Sequence, residues 1–184
     1  MQYSKEKLIE IVRDKGLKFG DFTLASGKKA SYYLDCRKVT LSSEGALQVG
    51  LGILEMLGDS LPDSVGGMAI GADPISASVI TVAAVQGKTL AGFIVRKEAK
   101  AHGTGQDVEG PVVAGNTCVI VEDVVTTGGS SLKAIEKVEA AGLKVLGVIA
   151  IVDRMEGGKQ AFADAGYELR TLLTIEDFGI TPPQ

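Results

Sequence analysis

"VIVEDVVTTGGSS", residues 119–131, is the stretch from which the fold can be read. Its first residues are apolar and mark the end of a buried strand. Glu122 and Asp123 then stand side by side, where that strand is expected to give out. Two valines, two threonines, two glycines and two serines follow, and a helical pattern resumes at Leu132. Strand, small-residue turn and helix in that order make one unit of a parallel α/β sheet.

The rest of the chain repeats the unit. "SVGGMAIGADP" (64–74) reads as a buried strand running into a loop. "ISASVITVAAVQG" (75–87) is apolar nearly all round and predicts a buried helix. "TLAGFIVR" (89–96), "KVLGVIAIVDR" (144–154) and "ELRTLLT" (168–174) are further strands. Helices are expected over 130–141, closed by Gly142, and over 158–166. Nearer the start, Leu8, Ile9 and Val12 recur at helical spacing between a capping Ser4 and Gly16. Another helix runs from a cap at Ser42 or Ser43 to about Leu57. Between them, 19–39 mixes short extended pieces with turn residues, as a small hairpin or hood would. The expected fold class is α/β, with a mainly parallel central sheet flanked by helices. It forms a single domain over 1–184 with an N-terminal hood over about 1–40. Ligands of such sheets sit at the carboxyl ends of the strands. The loops after Ile70, Asp123 and Asp153 leave those ends.

Composition narrows the function. A chain of 184 residues, 45% hydrophobic, suits one soluble domain with a real core. Net charge −4 and the absence of Trp argue against nucleic-acid binding. The start is charged, no apolar run reaches spanning length, and Cys36 and Cys118 form no CxxC pair. A cytoplasmic protein with free thiols and no membrane contact is expected. No Ser/His/Asp set, Cys/His set or zinc spacing is visible.

Adjacent carboxylates at a strand end often do no more than terminate the strand or cap a helix. Here Thr126, Thr127, Gly128, Gly129 and Ser130 follow. Glycines let backbone approach an anion, N–H groups at a helix start point toward it, and hydroxyls add donors. Glu122 and Asp123 would repel that anion; they suit sugar hydroxyls, a metal ion or a developing cation. The loop matches neither GxxxxGK[ST] nor GxGxxG. A phosphorylated sugar fits better, with phosphate in "TTGGS" and ribose hydroxyls on the acid pair. A second signal is "RKEAKAHGTGQDVEG" (96–110), which gathers Arg96, Lys97, Lys100 and the single histidine, His102, in an acidic chain. A solvated charged loop is the plain reading. A structureless stretch over 97–116 is nevertheless uncommon in a compact domain unless it serves function.

These residues carry a resemblance. "VIVEDVVTTGGS" resembles the phosphoribosyl-diphosphate (PRPP) binding motif of type I phosphoribosyltransferases. "RKEAKAHG" is similar to the catalytic loop of the orotate phosphoribosyltransferases, and "FTLASGKKASYYLD" (22–35) and "VDRMEGG" (152–158) to other segments of that family. The resemblance implies a PRPP site over Glu122, Asp123, Val124, Val125, Thr126, Thr127, Gly128, Gly129 and Ser130. It implies diphosphate contacts from Arg96, Lys97, Lys100 and His102 on a mobile loop over 97–116. Glu122, Asp123, Lys100 and His102 would be catalytic. Thr126 and Arg154 would hold orotate, whose carboxylate suits a guanidinium; the plain alternative for Arg154 is an ion pair with Asp153, Glu156 or another acid. The implied reaction joins orotate to PRPP, giving orotidine 5'-monophosphate and diphosphate in pyrimidine biosynthesis. Mg2+ is implied as cofactor, held mainly by PRPP, with Asp73 a candidate ligand. A homodimer that shares loop residues between subunits is implied as well. The chain departs from the pattern at Ala25, where many members carry Lys, and at Asp73 and Pro74, where many carry an aromatic residue and Lys. Lys28 or Lys29, or Mg2+ near Asp73, are the candidate compensations. Competing readings are a transferase for another base and a non-catalytic PRPP sensor on the same fold.

Overall fold

The computed structural model describes residues 1–23, 29–98 and 107–182. Ala25, Lys28, the side chain of Lys29, Lys100 and His102 lie outside the described residues. The main sheet contains β3 (Ser64–Met68), β4 (Ala91–Val95), β5 (Val108–Glu109), β6 (Thr117–Val125), β7 (Lys144–Asp153) and β8 (Leu169–Thr174), in the order β5-β4-β3-β6-β7-β8. All neighbours pair in parallel except β5, which runs antiparallel to β4. A separate two-stranded antiparallel sheet, β1 (Leu17–Thr23) and β2 (Lys29–Leu34), is the expected hairpin.

Alternation along each strand divides the core. Val119 and Val121 of β6, with Ile149 and Ile151 of β7, pack on one face of the sheet. There they meet α1 (Lys5–Ile11), α3 (Ser43–Leu57) and α4 (Ala72–Val85) through Leu8, Ile53 and Ile75. Cys118, Ile120, Val148 and Ala150 point to the other face, toward α5 (Gly129–Ala140) and α6 (Gly158–Asp164). That second core is closed by Ala134, Ile135, Val138 and Phe162. The two cysteines are free and fully buried, Cys36 in the first core and Cys118 in the second. Both thiols are pushed up chiefly by burial, Cys118 to about 12.

Local signals hold at the helix starts. Ser4 Oγ accepts from the Lys7 N–H at 3.1 Å, and Ser42 Oγ from that of Gly45 at 3.3 Å. Several expectations change. The first helix ends in one wider π turn over Val12–Gly16. A short helix, α2 (Arg37–Thr40), follows the hairpin unannounced. The polar stretch over 97–116 contains β5, which folds back on β4. Helix α4 is not buried all round: Ala77, Thr81 and Val85 are exposed, and its outer face borders a groove of about 570 Å³ shared with α3. Apolar content could not reveal this, because only one face of α4 meets the sheet. Finally, β6 does not give out at Asp123. It continues to Val125, because Val124 and Val125 pair with Val152 and Asp153 of β7.

Gly66 of β3 lies opposite Phe93 of β4, and a Cβ there would collide with the Phe93 carbonyl oxygen and ring. Gly66→Ala should therefore lower stability by about 1–3 kcal/mol through overpacking. Urea unfolding checks this, and an unchanged midpoint would contradict the tight β3–β4 approach.

Candidate functional site

Strands β3 and β6 are neighbours, but their crossovers run in opposite directions. From β3 the chain passes through α4 to β4; from β6 it passes through α5 to β7. The helices lie on opposite faces, so a crevice opens beyond the carboxyl ends of β3 and β6. A cleft of about 230 Å³ sits there. Its walls are Met68 at the end of β3 with Ala69–Gly71 beyond it, Glu122–Val124 of β6, Ser130 of α5, Lys97 after β4, and Leu34 at the end of β2 with Asp35 and Arg37 beyond it.

Because side chains alternate on a strand, the acid pair is split. Glu122 turns toward α5 and is 7% exposed. Its Oε2 accepts from Ser131 Oγ at 2.7 Å and its Oε1 from the Asp123 N–H at 3.2 Å. Burial, opposed by the Ser131 hydrogen bond and reinforced by the charge of Asp123, raises its carboxyl from 4.5 to about 7. Asp123 turns the other way and is half-buried. Its Oδ1 accepts from the Val124 N–H at 2.9 Å. Gly71 gives it room: a Cβ there would come within 3.0 Å of Asp123 Oδ1.

Helix α5 begins beside the cleft. Its N-cap, Gly128, has φ 82°, and among the described residues no side chain caps it. A Cβ on Gly128 would also press within 3.1 Å of the Phe162 ring, so packing and backbone both require glycine. Gly129 has open space where a Cβ would be, and Thr127, Gly129 and Ser130 are exposed. The turn is braced from behind: the Thr126 carbonyl accepts from the Gly158 N–H at 2.9 Å, and Val125 is buried. An uncapped twelve-residue helix start with exposed hydroxyls is a ready site for phosphate.

The structure gathers some of the expected residues and separates others. Lys97 lines the cleft with the acids. Arg96 does not; its Nε bonds Glu109 Oε1 at 2.5 Å. Arg154 follows β7 and is not among the cleft walls; its N–H donates to the Val125 carbonyl at the end of β6 at 2.9 Å. Its guanidinium pairs with Glu156 at 2.7 Å and donates to the Tyr32 hydroxyl at 2.9 Å. The ion pair weighed for it is present, therefore, with Glu156. Asp73 does not line the cleft. Its Oδ1 is buried without a hydrogen-bond partner among the described residues, and burial raises its carboxyl. Among the described residues no three His, Cys, Asp or Glu side chains are placed to hold a metal ion.

Sequence reasoning missed Arg37, Tyr32 and Ser131. Arg37 is a second cation of the cleft, gripped by Asp35 at 2.9 and 3.3 Å. Its signal was a D-x-R spacing right after an extended segment. Tyr32 gave no sign of its link to Arg154, which spans 122 positions. Ser131 was legible only as part of a hydroxyl-rich turn.

A parallel sheet with an acid pair and an open helix N-terminus at its switch point defines a class. Residues 62–174 match the model of the phosphoribosyl transferase domain. The chain is 55% identical over 181 residues to the orotate phosphoribosyltransferase of Rhodopirellula baltica, covering 95% of this chain and 94% of that one. It superposes on the orotate phosphoribosyltransferase of Mycobacterium tuberculosis H37Rv in complex with Fe(III) dicitrate with a TM-score of 0.86, at 36% identity, over 96% of this chain and 99% of that one. The same enzyme in complex with PRPP gives a TM-score of 0.82 at 32% identity over 96% and 99%. The chain belongs to the orotate phosphoribosyltransferase family of the phosphoribosyl transferases.

Glu122 makes stability depend on pH. Its folded-state value lies above the ordinary one, so its contribution is full below about 4.5 and is lost as pH rises through about 7. Glu122→Gln removes that dependence. Its stability relative to the unaltered protein should therefore improve between pH 5 and pH 8 in parallel urea titrations. A constant offset would mean that the carboxyl does not titrate in this window.

Proposed function

We propose that this protein transfers the phosphoribosyl group of PRPP to orotate, releasing diphosphate and forming orotidine 5'-monophosphate. The observation that carries the reading is the acid pair beside the open start of α5 in the switch-point cleft. Family membership supplies the base. The 5'-phosphate sits on Thr126–Ser130, taking N–H groups from the start of α5 and the exposed hydroxyls of Thr127 and Ser130. Asp123 faces the ribose hydroxyls, and Glu122 lies beneath it. The C1–O bond to diphosphate breaks, the electron pair leaves with diphosphate, and the orotate ring nitrogen forms the new bond to C1. Positive charge that develops on the ribose is stabilised by the Asp123 carboxylate at the cleft wall. Lys97 and Arg37 offset the charge of the departing diphosphate from the cleft walls. Lys100 and His102 add to this on the loop, with His102 as a proton donor.

One carboxylate open to a cleft fits Mg2+, which usually takes one or two carboxylates and completes its shell with substrate phosphates and water. Asp123 with the substrate's own oxygens would hold the ion, and its chemistry is to neutralise charge on the leaving group. Asp73 does not line that cleft and is not needed for this. The proposed setting is the cytoplasm. The buried free thiols support it, and no helix among the described residues is long and apolar enough to cross a membrane.

The direct test is PRPP consumption with orotate, uracil, hypoxanthine, adenine or no base. Loss with orotate alone is expected; loss with another base, or PRPP binding without turnover, would replace the reading. Arg154→Ala should raise the KM for orotate, but not for PRPP, on the order of ten- to a hundredfold, the worth of a charge-assisted carboxylate contact. Equal shifts in both would make Arg154 a structural brace for Tyr32 and Glu156.

The dimer has its own test. We take Lys100 and His102 to serve the neighbouring subunit's cleft. Lys100→Ala and Asp123→Asn are each expected to be inactive. After subunit exchange, shown with a mass-tagged chain, about half of randomly paired dimers are mixed. Each mixed dimer has one intact site, so roughly a quarter of full activity should return. No recovery would place each loop over its own subunit.

A further inference from the structure

We infer that Lys137 is a positioning residue that fixes the backbone from which Lys97 reaches the cleft. The inference rests on the proposed reaction for its meaning, and on geometry for its content. Lys137 lies in the last turn of α5, at the far end from the phosphate turn. Its ammonium donates to the Arg96 carbonyl at 2.7 Å, the Lys97 carbonyl at 3.2 Å and Asp107 Oδ1 at 3.0 Å. An ammonium has three protons, and each has an acceptor here. The acceptors come from two strands of chain. Arg96 and Lys97 leave the carboxyl end of β4, and Asp107 enters β5. Those strands are also tied to each other, by the Arg96 N–H to the Asp107 carbonyl at 2.9 Å and by Arg96 to Glu109.

A cation near a helix C-terminus needs no acceptor outside its helix to be favourable. Lys137 instead reaches acceptors 30 to 41 positions away in sequence, and two of them are the carbonyls at and just before a cleft-lining lysine. The same helix carries Ser130 and Ser131 at its start, against the cleft and Glu122. One rigid element therefore sets both the phosphate turn and the cation that meets the opposite end of the substrate. Distance between those two groups is then a property of α5, not of the loop.

The test is a double-mutant cycle on Lys97 and Lys137. Lys137→Met keeps most of the side-chain bulk and removes the charge. It should lower kcat/KM for PRPP about tenfold and leave the KM for orotate unchanged, a decade being about 1.4 kcal/mol of transition-state stabilisation. Lys137→Arg, which keeps a donor, should recover part of the loss. In a Lys97→Ala background, Lys137→Met should add less than about twofold, because its effect has already been removed. Additive losses, a Lys97→Ala variant with full activity, or a parallel rise in both KM values would overturn the inference. Should Lys137→Met not fold, Asp107→Asn weakens one of the three contacts and is taken through the same cycle. Calorimetric binding of inorganic diphosphate reads the cycle without turnover. An unaltered protein inactive with orotate would thus overturn the reaction and leave the Lys97–Lys137 coupling to be decided by binding.

Discussion

Two adjacent parallel strands whose crossovers depart in opposite directions cannot both be covered at their carboxyl ends. That constraint places everything else. The helix after β3 lies on one face of the sheet and the helix after β6 on the other, so the gap between the two strand ends stays open. The chain fills the rims of the gap with backbone that needs room. Gly71 leaves space for Asp123, and Gly128 turns the chain into α5 against Phe162. The open start of α5 and the acid pair come to adjoin the same small volume because both belong to the β6–α5 unit.

Within that unit, the pleat gives two neighbouring carboxylates different work. Glu122 is withdrawn under α5 and accepts a hydrogen bond from the Ser131 hydroxyl; Asp123 keeps a face on the cleft. A carboxyl that deprotonates only near neutrality can stay uncharged beside a charged neighbour, which limits the repulsion between them. Their proximity is therefore tolerated by unequal burial. An exchange of the two environments would require a one-residue slip of β6 against β7, which would also turn Ile120 and Val121 to the wrong cores.

Much of this was legible in the sequence, because it depended on neighbours along the chain. The alternation of strands and helices, the glycine turn before α5 and the Ser4 and Ser42 caps are local signals, and they hold. What was not legible depends on remote partners. The length of β6 is set by β7, through Val124 with Val152 and Val125 with Asp153. The one-sided burial of α4 is set by where the sheet lies, not by its own apolar content. The partners of Arg154, Glu156 close by and Tyr32 across 122 positions, are likewise set by the fold. Arg37 came into the cleft because a short helix turns the chain there after β2. Lys100 and His102 lie outside the described residues, so their placement still rests on resemblance.

The two thiols, one in each core, have a use that the enzyme does not require. Neither can react while its face of the sheet stays closed, since burial holds each in the protonated form and shuts out the reagent. Labelling by a disulfide reagent therefore times an opening event, not a surface encounter. Cys36 times the layer of α1, α3 and α4, and Cys118 the layer of α5 and α6. Matched rates would describe one cooperative body. Unequal rates would show which side of the central sheet loosens first, and so whether the scaffold of the cleft breathes as a whole or by halves.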